Sequence, residues 1–284
     1  MLQARMIFAV AAGAALLHGQ NKPAALSIER LALHQFADGP LLPPGYEFVP
    51  GETAYFSCRI AGYKTLDQDD KKSVKLAWTM RVADPSGVPI AKERSGAIAD
   101  RVLPQDKNWI PKFLSSFVIP EYAPTGAYRI SITVTDQIAG AEVEGELAFQ
   151  VRGTGVAPSP TLVTRNFEFL RNEKDSAALR PPVYQPGSTL WARFDIAGYK
   201  FGENNQFSVE YGLAVLNSSG EQIFSQPEAA SDARESFYPQ PFVPGALSLN
   251  LDKNVVSGEY TLVVTVRDKI GNQNWETRQP FQVK

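Results

Sequence analysis

The chain has 284 residues, with 28 basic and 30 acidic side chains, a formal net charge of −2, one cysteine and two histidines. This balance lacks the basic surplus with which proteins bind nucleic acid, so we expect no nucleic-acid partner. A single cysteine excludes an internal disulfide and a cysteine-rich zinc site, and two histidines leave little material for acid–base catalysis near neutral pH.

The first residues have the pattern of an export signal. Arg5 precedes an uncharged apolar run from Met6 to Leu17, and small or turn-forming residues follow as far as Gly19. This run is too short to span a hydrocarbon core about 30 Å thick, whereas it suits a secretory signal. We predict a cleavable signal peptide over residues 1–19, a secreted or periplasmic product, and no membrane span after cleavage. A retained short anchor is the alternative.

The rest of the chain contains two copies of one sequence unit. The pentapeptide Ile-Ala-Gly-Tyr-Lys at 60–64 recurs unchanged at 196–200, 136 residues later, and a G-x-Y triplet at 126–128 recurs at 258–260, after 132 residues. Because the offset shrinks only across loops, the pattern indicates a duplication with loop deletions. The predicted units are a first domain at 25–152, a proline-stiffened linker at 153–163 and a second domain at 164–284.

Apolar residues alternate with polar ones within each copy. Ala54, Phe56, Cys58 and Ile60 share one face of a predicted strand, and their counterparts are Leu190, Ala192, Phe194 and Ile196. Such alternation between turn signals is typical of antiparallel sheets with one buried face. We therefore predict an all-β chain of two tandem β-sandwiches. Cys58 aligns with Phe194, so we expect a core side chain there and not a reactive thiol.

A later strand carries a family resemblance. The segments from Pro124 to Ile130 and from Val256 to Leu262 resemble the G-x-Y segment that precedes strand F in immunoglobulin-like and fibronectin-type sandwiches, and the hairpins after them resemble those of bacterial secreted Ig-like repeats. The resemblance implies two Ig-like domains in which each tyrosine hydroxyl bonds to backbone upstream. Ile130 and Leu262 stand where antibody-type domains place their second cysteine, so the inter-sheet disulfide is absent.

Two aromatic loops at corresponding places in the copies are the best candidates for a binding surface. Rings beside prolines form apolar platforms that suit sugar rings or the side chains of a protein partner. The alternative is that these rings fold down and close one end of each sandwich. The candidate ligand-binding residues are Trp109, Phe113, Phe237, Tyr238 and Phe242.

Other polar residues suggest weaker candidate sites. Asp67 and Asp69 alternate in a predicted hairpin loop, and their oxygens can share a calcium ion; a solvated loop without any cofactor is the alternative that we favour. Asp136 and Asp268 recur just before a turn, where we expect them to bond the turn backbone. His34 has no nearby nucleophile motif, so we expect a surface or edge histidine.

No catalytic constellation emerges from these residues. We interpret the chain as an exported, non-catalytic binding or adhesion protein of the cell envelope, whose partner is an envelope protein or a glycan. One alternative is a structural or assembly subunit of an envelope complex. The other is a calcium-dependent hydrolase that uses Asp67 and Asp69.

Overall fold

The computed structural model describes residues 25–68, 71–102, 106 and 109–284. The predicted signal peptide and Asp69 therefore lie outside the described residues. Within the described part of the chain, no helix combines the length and the apolar character needed to cross a membrane.

The first half folds as two packed sheets. Its strands are β1 (Ser27–His34), β2 (Glu47–Phe48), β3 (Thr53–Ala61), β4 (Leu66–Gln68), β5 (Lys71–Ala83), β6 (Arg94–Val102), β7 (Lys112–Val118), β8 (Gly126–Asp136) and β9 (Ala141–Val151). A small sheet has the order β1-β3-β7, and a larger sheet has the order β2-β9-β8-β5-β4, with β6 also paired to β5. All of these pairings are antiparallel except β2 with β9.

The second half repeats this arrangement. Its strands are β10 (Val163–Leu170), β11 (Val183–Tyr184), β12 (Thr189–Ala197), β13 (Phe207–Leu216), β14 (Gln222–Arg234), β15 (Phe242–Asn250), β16 (Gly258–Asp268) and β17 (Gln273–Val283). The sheets have the orders β10-β12-β15 and β11-β17-β16-β13-β14. A short 3-10 turn at Glu203–Asn205 stands where the first half has β4. The predicted all-β fold of two tandem Ig-like sandwiches is confirmed.

Each sandwich encloses its own hydrophobic core. The alternating strands supply it: in β12, for example, Leu190, Ala192, Phe194 and Ile196 are each at most 2% exposed, whereas the side chains between them are partly exposed. Burial of the apolar face of each sheet against the other is the main stabilising contribution in such a fold.

The repeated pentapeptide lies at the end of β3 or β12 of the small sheet and ties this strand to the end of β8 or β16 in the other sheet of the same sandwich. The backbone N–H of Lys64 donates to Asp136 Oδ2 at 2.7 Å, and that of Lys200 donates to Asp268 Oδ2 at 2.9 Å. Each aspartate also accepts two N–H groups of the turn that follows it, so the predicted turn role of both is confirmed. Gly198 has a φ of +78°, and a Cβ there would lie 1.9 Å from the carbonyl oxygen of Thr161, which explains the glycine of the motif.

The tyrosine of each G-x-Y triplet bonds as the family resemblance implies. Tyr128 donates its hydroxyl to the carbonyl oxygen of Pro124 at 2.9 Å, and Tyr260 donates to that of Val256 at 2.7 Å. Both rings lie in the cores, and each hydroxyl reaches the backbone four residues upstream. This prediction is confirmed in both domains.

At one cross-strand position of the core, the two sandwiches take their aromatic ring from different strands. In the first sandwich Cys58 on β3 faces Phe113 on β7, whereas in the second Phe194 on β12 faces Gly245 on β15. Cys58 is 0% exposed, which confirms its predicted place in the core. A Cβ on Gly245 would lie 2.5 Å from Phe194 Cε2, because the Phe194 ring already occupies that space. The ring therefore comes from β7 in the first sandwich and from β12, the counterpart of β3, in the second. We call this exchange of the ring between the two strands the reversed ring pair.

His34 differs from its prediction in its exposure. It lies on an edge strand, as expected, but it is only 8% exposed. Its Nδ1 lies 2.7 Å from the carbonyl oxygen of Gly39, and its Nε2 lies 2.7 Å from Ser57 Oγ. A carbonyl can only accept, so Nδ1 carries the proton and Nε2 accepts from the serine. The loop after β1 covers the ring, and the periodicity of β1 alone did not predict this.

Candidate functional site at the junction of the two sandwiches

The aromatic loop of the second sandwich docks on the first sandwich. The ring of Tyr238 packs against the first core, and its hydroxyl donates to Asp84 Oδ2 at 2.8 Å. Phe242, 5% exposed, meets the ring of Tyr122 edge-on with a centroid distance of 5.2 Å. Burial, followed by the hydrogen bond to Asp84, raises the pKa of Tyr238 well above its usual range, so this hydroxyl stays protonated and donates.

Asp84 can accept this bond because it has two carboxylate oxygens. Its Oδ1 accepts the N–H groups of Ser86 and Val88, each at 2.8 Å, and thereby shapes the turn after β5. Its Oδ2 is then free for the tyrosine of the other domain. The second copy has Asn217 at this place, and its single side-chain oxygen already accepts within its own turn. The docking contact is therefore specific to the end of the first sandwich.

The structure separates the five candidate aromatic residues into two groups. Phe237, Tyr238 and Phe242 come together at the junction. Trp109 and Phe113 lie at the other end of the first sandwich, beside the pentapeptide at 60–64.

Trp109 and Phe113 both contribute to packing. Trp109 is partly buried against the first core, and its carbonyl oxygen accepts the hydroxyl of Tyr63 at 2.8 Å. Phe113 is 4% exposed, and its ring centroid lies 4.7 Å from that of Trp78. Of the five candidates, Phe237 has the most exposed ring, at 49%.

Phe237 lines a cleft between the two sandwiches. The cleft has a volume of about 560 Å³ and is lined by Lys92 of the first sandwich and by Asn204, Asn205, Glu235, Ser236 and Phe237 of the second. This volume is in the range of sites that bind small molecules, and such sites occur preferentially at domain interfaces. Lys92 is the one lining residue from the first sandwich, so docking of the two domains completes the cleft.

The amide of Asn205 positions the loop that bears Phe237. Its Nδ2 donates to the carbonyl oxygens of Ser236 at 3.2 Å and of Phe237 at 2.7 Å. Asn204 and Asn205 both have left-handed backbone, with φ of 53° and 56°, a conformation that asparagine tolerates better than most residues. The turn at Glu203–Asn205 therefore holds the aromatic wall of the cleft in place.

Three polar side chains of the cleft have unused hydrogen-bonding capacity. Lys92, Asn204 and Glu235 are exposed, and the side chains of all three lack hydrogen bonds and ion pairs to other described residues. The cleft thus presents an ammonium, an amide and a carboxylate beside one aromatic ring. Sequence patterns alone did not identify these three residues, because isolated polar residues in loops carry no signal of their own.

The acidic loop does not form a metal cluster among the residues that can be described. Asp67 is exposed, and Asp69 lies outside the described residues. In the described ranges, no group of three or more histidine, cysteine, aspartate or glutamate side chains is arranged to hold a metal ion. The calcium site remains a prediction.

Comparisons with known proteins give only distant structural likenesses. No family model matches the chain, and no curated protein matches it. Among solved structures, the C-terminal domain of the antigen I/II polypeptide BspA of Streptococcus agalactiae is 10% identical, with a TM-score of 0.29 over 90% of this chain and 99% of that chain. The C-terminal domain of the antigen I/II-family protein AspA of Streptococcus pyogenes is 8% identical, with a TM-score of 0.30 over 92% of this chain and 99% of that chain.

Proposed function

We propose that the chain is an exported, non-catalytic binding or adhesion protein of the cell envelope that holds its ligand in the junction cleft. The observation that carries the proposal is the exposed ring of Phe237 on the wall of a cleft of about 560 Å³ between two docked domains. A large exposed ring beside polar groups with unused hydrogen-bonding capacity is typical of a ligand site.

The chemistry of the described residues supports binding over hydrolysis. His34 Nε2 bonds to Ser57, the pairing that activates a serine in hydrolases, but Ser57 is only 5% exposed and no carboxylate of the described residues bonds to the His34 ring. Burial raises the pKa of Cys58 to about 12, so its thiol is not a nucleophile near neutral pH. Asp67, the described member of the acidic pair, is exposed in a hairpin.

A pull-down with a matched pair of variants tests the proposal. The chain from Gln20 onward is immobilised and exposed to envelope extract and, separately, to insoluble polysaccharides. We expect retention of a ligand that Phe237→Ala abolishes and Phe36→Ala preserves, because Phe36 is 56% exposed but lies outside the cleft. Equal melting temperatures show that both variants are folded. Equal retention by the two variants would contradict the proposal.

A second candidate function is that of an assembly subunit, and the edge strand β14 favours it. This strand has 13 residues, nearly all exposed, and β13 is its single partner among the described strands. Such an edge can accept a strand from a partner protein. If the chain is an assembly subunit, we expect an envelope protein to co-purify with it in fixed stoichiometry. Phe237→Ala should then have no effect on the complex, whereas Ala233→Lys on the exposed edge should weaken it.

A further inference from the structure

We infer that the junction cleft binds a neutral saccharide. This inference rests on the proposed function and names the ligand class for the same site. Its basis is the combination of one aromatic ring with amide, ammonium and carboxylate groups on walls that the docked domains hold in place.

The balance of apolar and polar groups favours a sugar over a peptide. Phe237 is the single apolar side chain among the six residues that line the cleft. Sites that bind protein segments tightly are built around well-packed apolar pockets that exclude water. A pyranose instead offers one apolar face for a ring and hydroxyl groups everywhere else. One ring surrounded by polar side chains matches that distribution.

The hydrogen-bonding groups of the cleft also suit hydroxyl groups. A hydroxyl both donates and accepts, and the cleft supplies both kinds of partner. Lys92 donates, Glu235 accepts, and the amide of Asn204 does both. Since none of these side chains bonds to another described residue, each is available to a ligand.

The charges of the cleft favour a neutral ligand. Lys92 and Glu235 have opposite signs, and the other lining residues are uncharged. An acidic saccharide gains from the lysine and loses to the glutamate, so neither sign of ligand charge is favoured overall. This predicts that removing one of the two charges changes the selectivity of the cleft.

The cavity on the outer face of the second sandwich is a weaker candidate. It has a volume of about 470 Å³, but four of its five polar side chains, all except Arg180, already bond to each other. Arg193 donates twice to Glu168, at 2.9 and 2.7 Å, and Asn166 donates to Asp195 at 2.8 Å. A ligand there would have to replace these bonds, whereas the junction cleft has side chains without partners among the described residues.

Isothermal titration of the chain from Gln20 onward tests the inference. The probes are maltotriose and N,N′,N″-triacetylchitotriose as neutral saccharides, trigalacturonate as an acidic saccharide and a Gly-Phe-Gly tripeptide. We expect a neutral trisaccharide to bind more tightly than the other two classes. Phe237→Ala should weaken this binding by about tenfold, or about 1.4 kcal/mol, which is the size expected when a ligand loses an aromatic ring on which it stacks. Phe36→Ala should leave it unchanged.

Glu235→Gln tests the charge argument separately. It leaves Lys92 as the one charged residue of the cleft and should strengthen the binding of trigalacturonate by about two- to fivefold, the size expected for one exposed charge interaction. The binding of a neutral trisaccharide should change less. Tighter binding of trigalacturonate than of the neutral probes to the original chain would overturn the inference.

The two proposals fail in distinguishable ways. If no saccharide binds but envelope extract still yields a protein whose retention depends on Phe237, the saccharide inference is refuted and the proposed function stands. Tight binding of the tripeptide alone would likewise refute the saccharide inference and leave the proposed function standing. If neither titration nor extract detects binding that depends on Phe237, both proposals are refuted.

Discussion

The reversed ring pair predicts that two damaging substitutions largely compensate each other. Phe113→Gly removes a ring that is 4% exposed and lies against Trp78, with centroids 4.7 Å apart. Cys58→Phe adds a ring at a position that is 0% exposed. Together they place in the first sandwich the pair found in the second, where Phe194 faces Gly245 and lies 5.4 Å from the ring of Tyr211, the counterpart of Trp78.

The expected free energies follow from burial and volume. Loss of a buried phenylalanine ring costs about 3–5 kcal/mol, and glycine within a strand costs about 0.5–1 kcal/mol more than alanine. Overpacking by Cys58→Phe costs about 1–3 kcal/mol, because the Phe113 ring fills the space nearby. If the new ring takes the place of the old one, we expect the double variant to lose only about 2–3 kcal/mol of unfolding free energy. The two single losses together amount to about 4.5–9 kcal/mol, so the coupling energy is about 4 kcal/mol at mid-range, somewhat above the values usual for contacting residues.

Hydrogen exchange of amides in β3 and β8 measures this free energy in the intact chain. These strands report on the first sandwich, so unfolding of the second does not enter the result. The matched control introduces Phe194→Cys and Gly245→Phe into the second sandwich, read on β12 and β16. The two pairs are not interchangeable if the double variant loses as much unfolding free energy as the two single variants together. That result would refute the reasoning.

Four other predictions concern single groups. Burial alone would raise the pKa of Asp136, but three backbone N–H donors hold this pKa below its ordinary value of 3.8. The carboxylate therefore stabilises the fold fully above pH 3.8, and this stabilisation is lost as the pH falls through the lowered pKa of the folded state. Asp136→Asn should therefore flatten the loss of stability in acid, measured as urea midpoints against pH. Tyr260→Phe should cost about 1 kcal/mol of unfolding free energy by calorimetry. Cys58 should resist iodoacetamide in the folded protein and react in denaturant; rapid labelling of folded protein would contradict its burial. Tyr238→Phe should weaken the docking of the two domains, which X-ray scattering would show as a larger radius of gyration. It should also reduce the Phe237-dependent retention of ligands.

The fold was predictable because its determinants are local. Alternation within a strand and the turn residues beside it act over a few positions, so β3, β5 and β8 and their counterparts follow from the pattern. The roles of Tyr128 and Asp136 were predictable for the same reason, since each bonds to backbone close to its own turn or to a repeated motif. The two-residue strands β2 and β11 were not, because so short a segment has no periodicity.

The junction was not predictable because its partners are far apart in the chain. Tyr238 and Asp84 are separated by 154 residues, and the pattern around either one is the same whether or not the domains touch. Phe237 is exposed and Phe242, five residues later at the start of β15, is buried where it meets Tyr122 of the other domain. Lys92 belongs to the cleft only through this docking.

The reversed ring pair disfavours the exchange of strands between the two similar halves during folding. Tandem domains with closely related sequences are prone to exchange strands, which leads to misassembled products. If β12 took the place of β3 beside β7, Phe194 would face Phe113, and two rings would compete for one space. The opposite exchange would set Cys58 against Gly245 and leave a void. We expect either hybrid to be less stable than the correct domain, so the two copies are mutually incompatible at this cross-strand pair although they share one architecture.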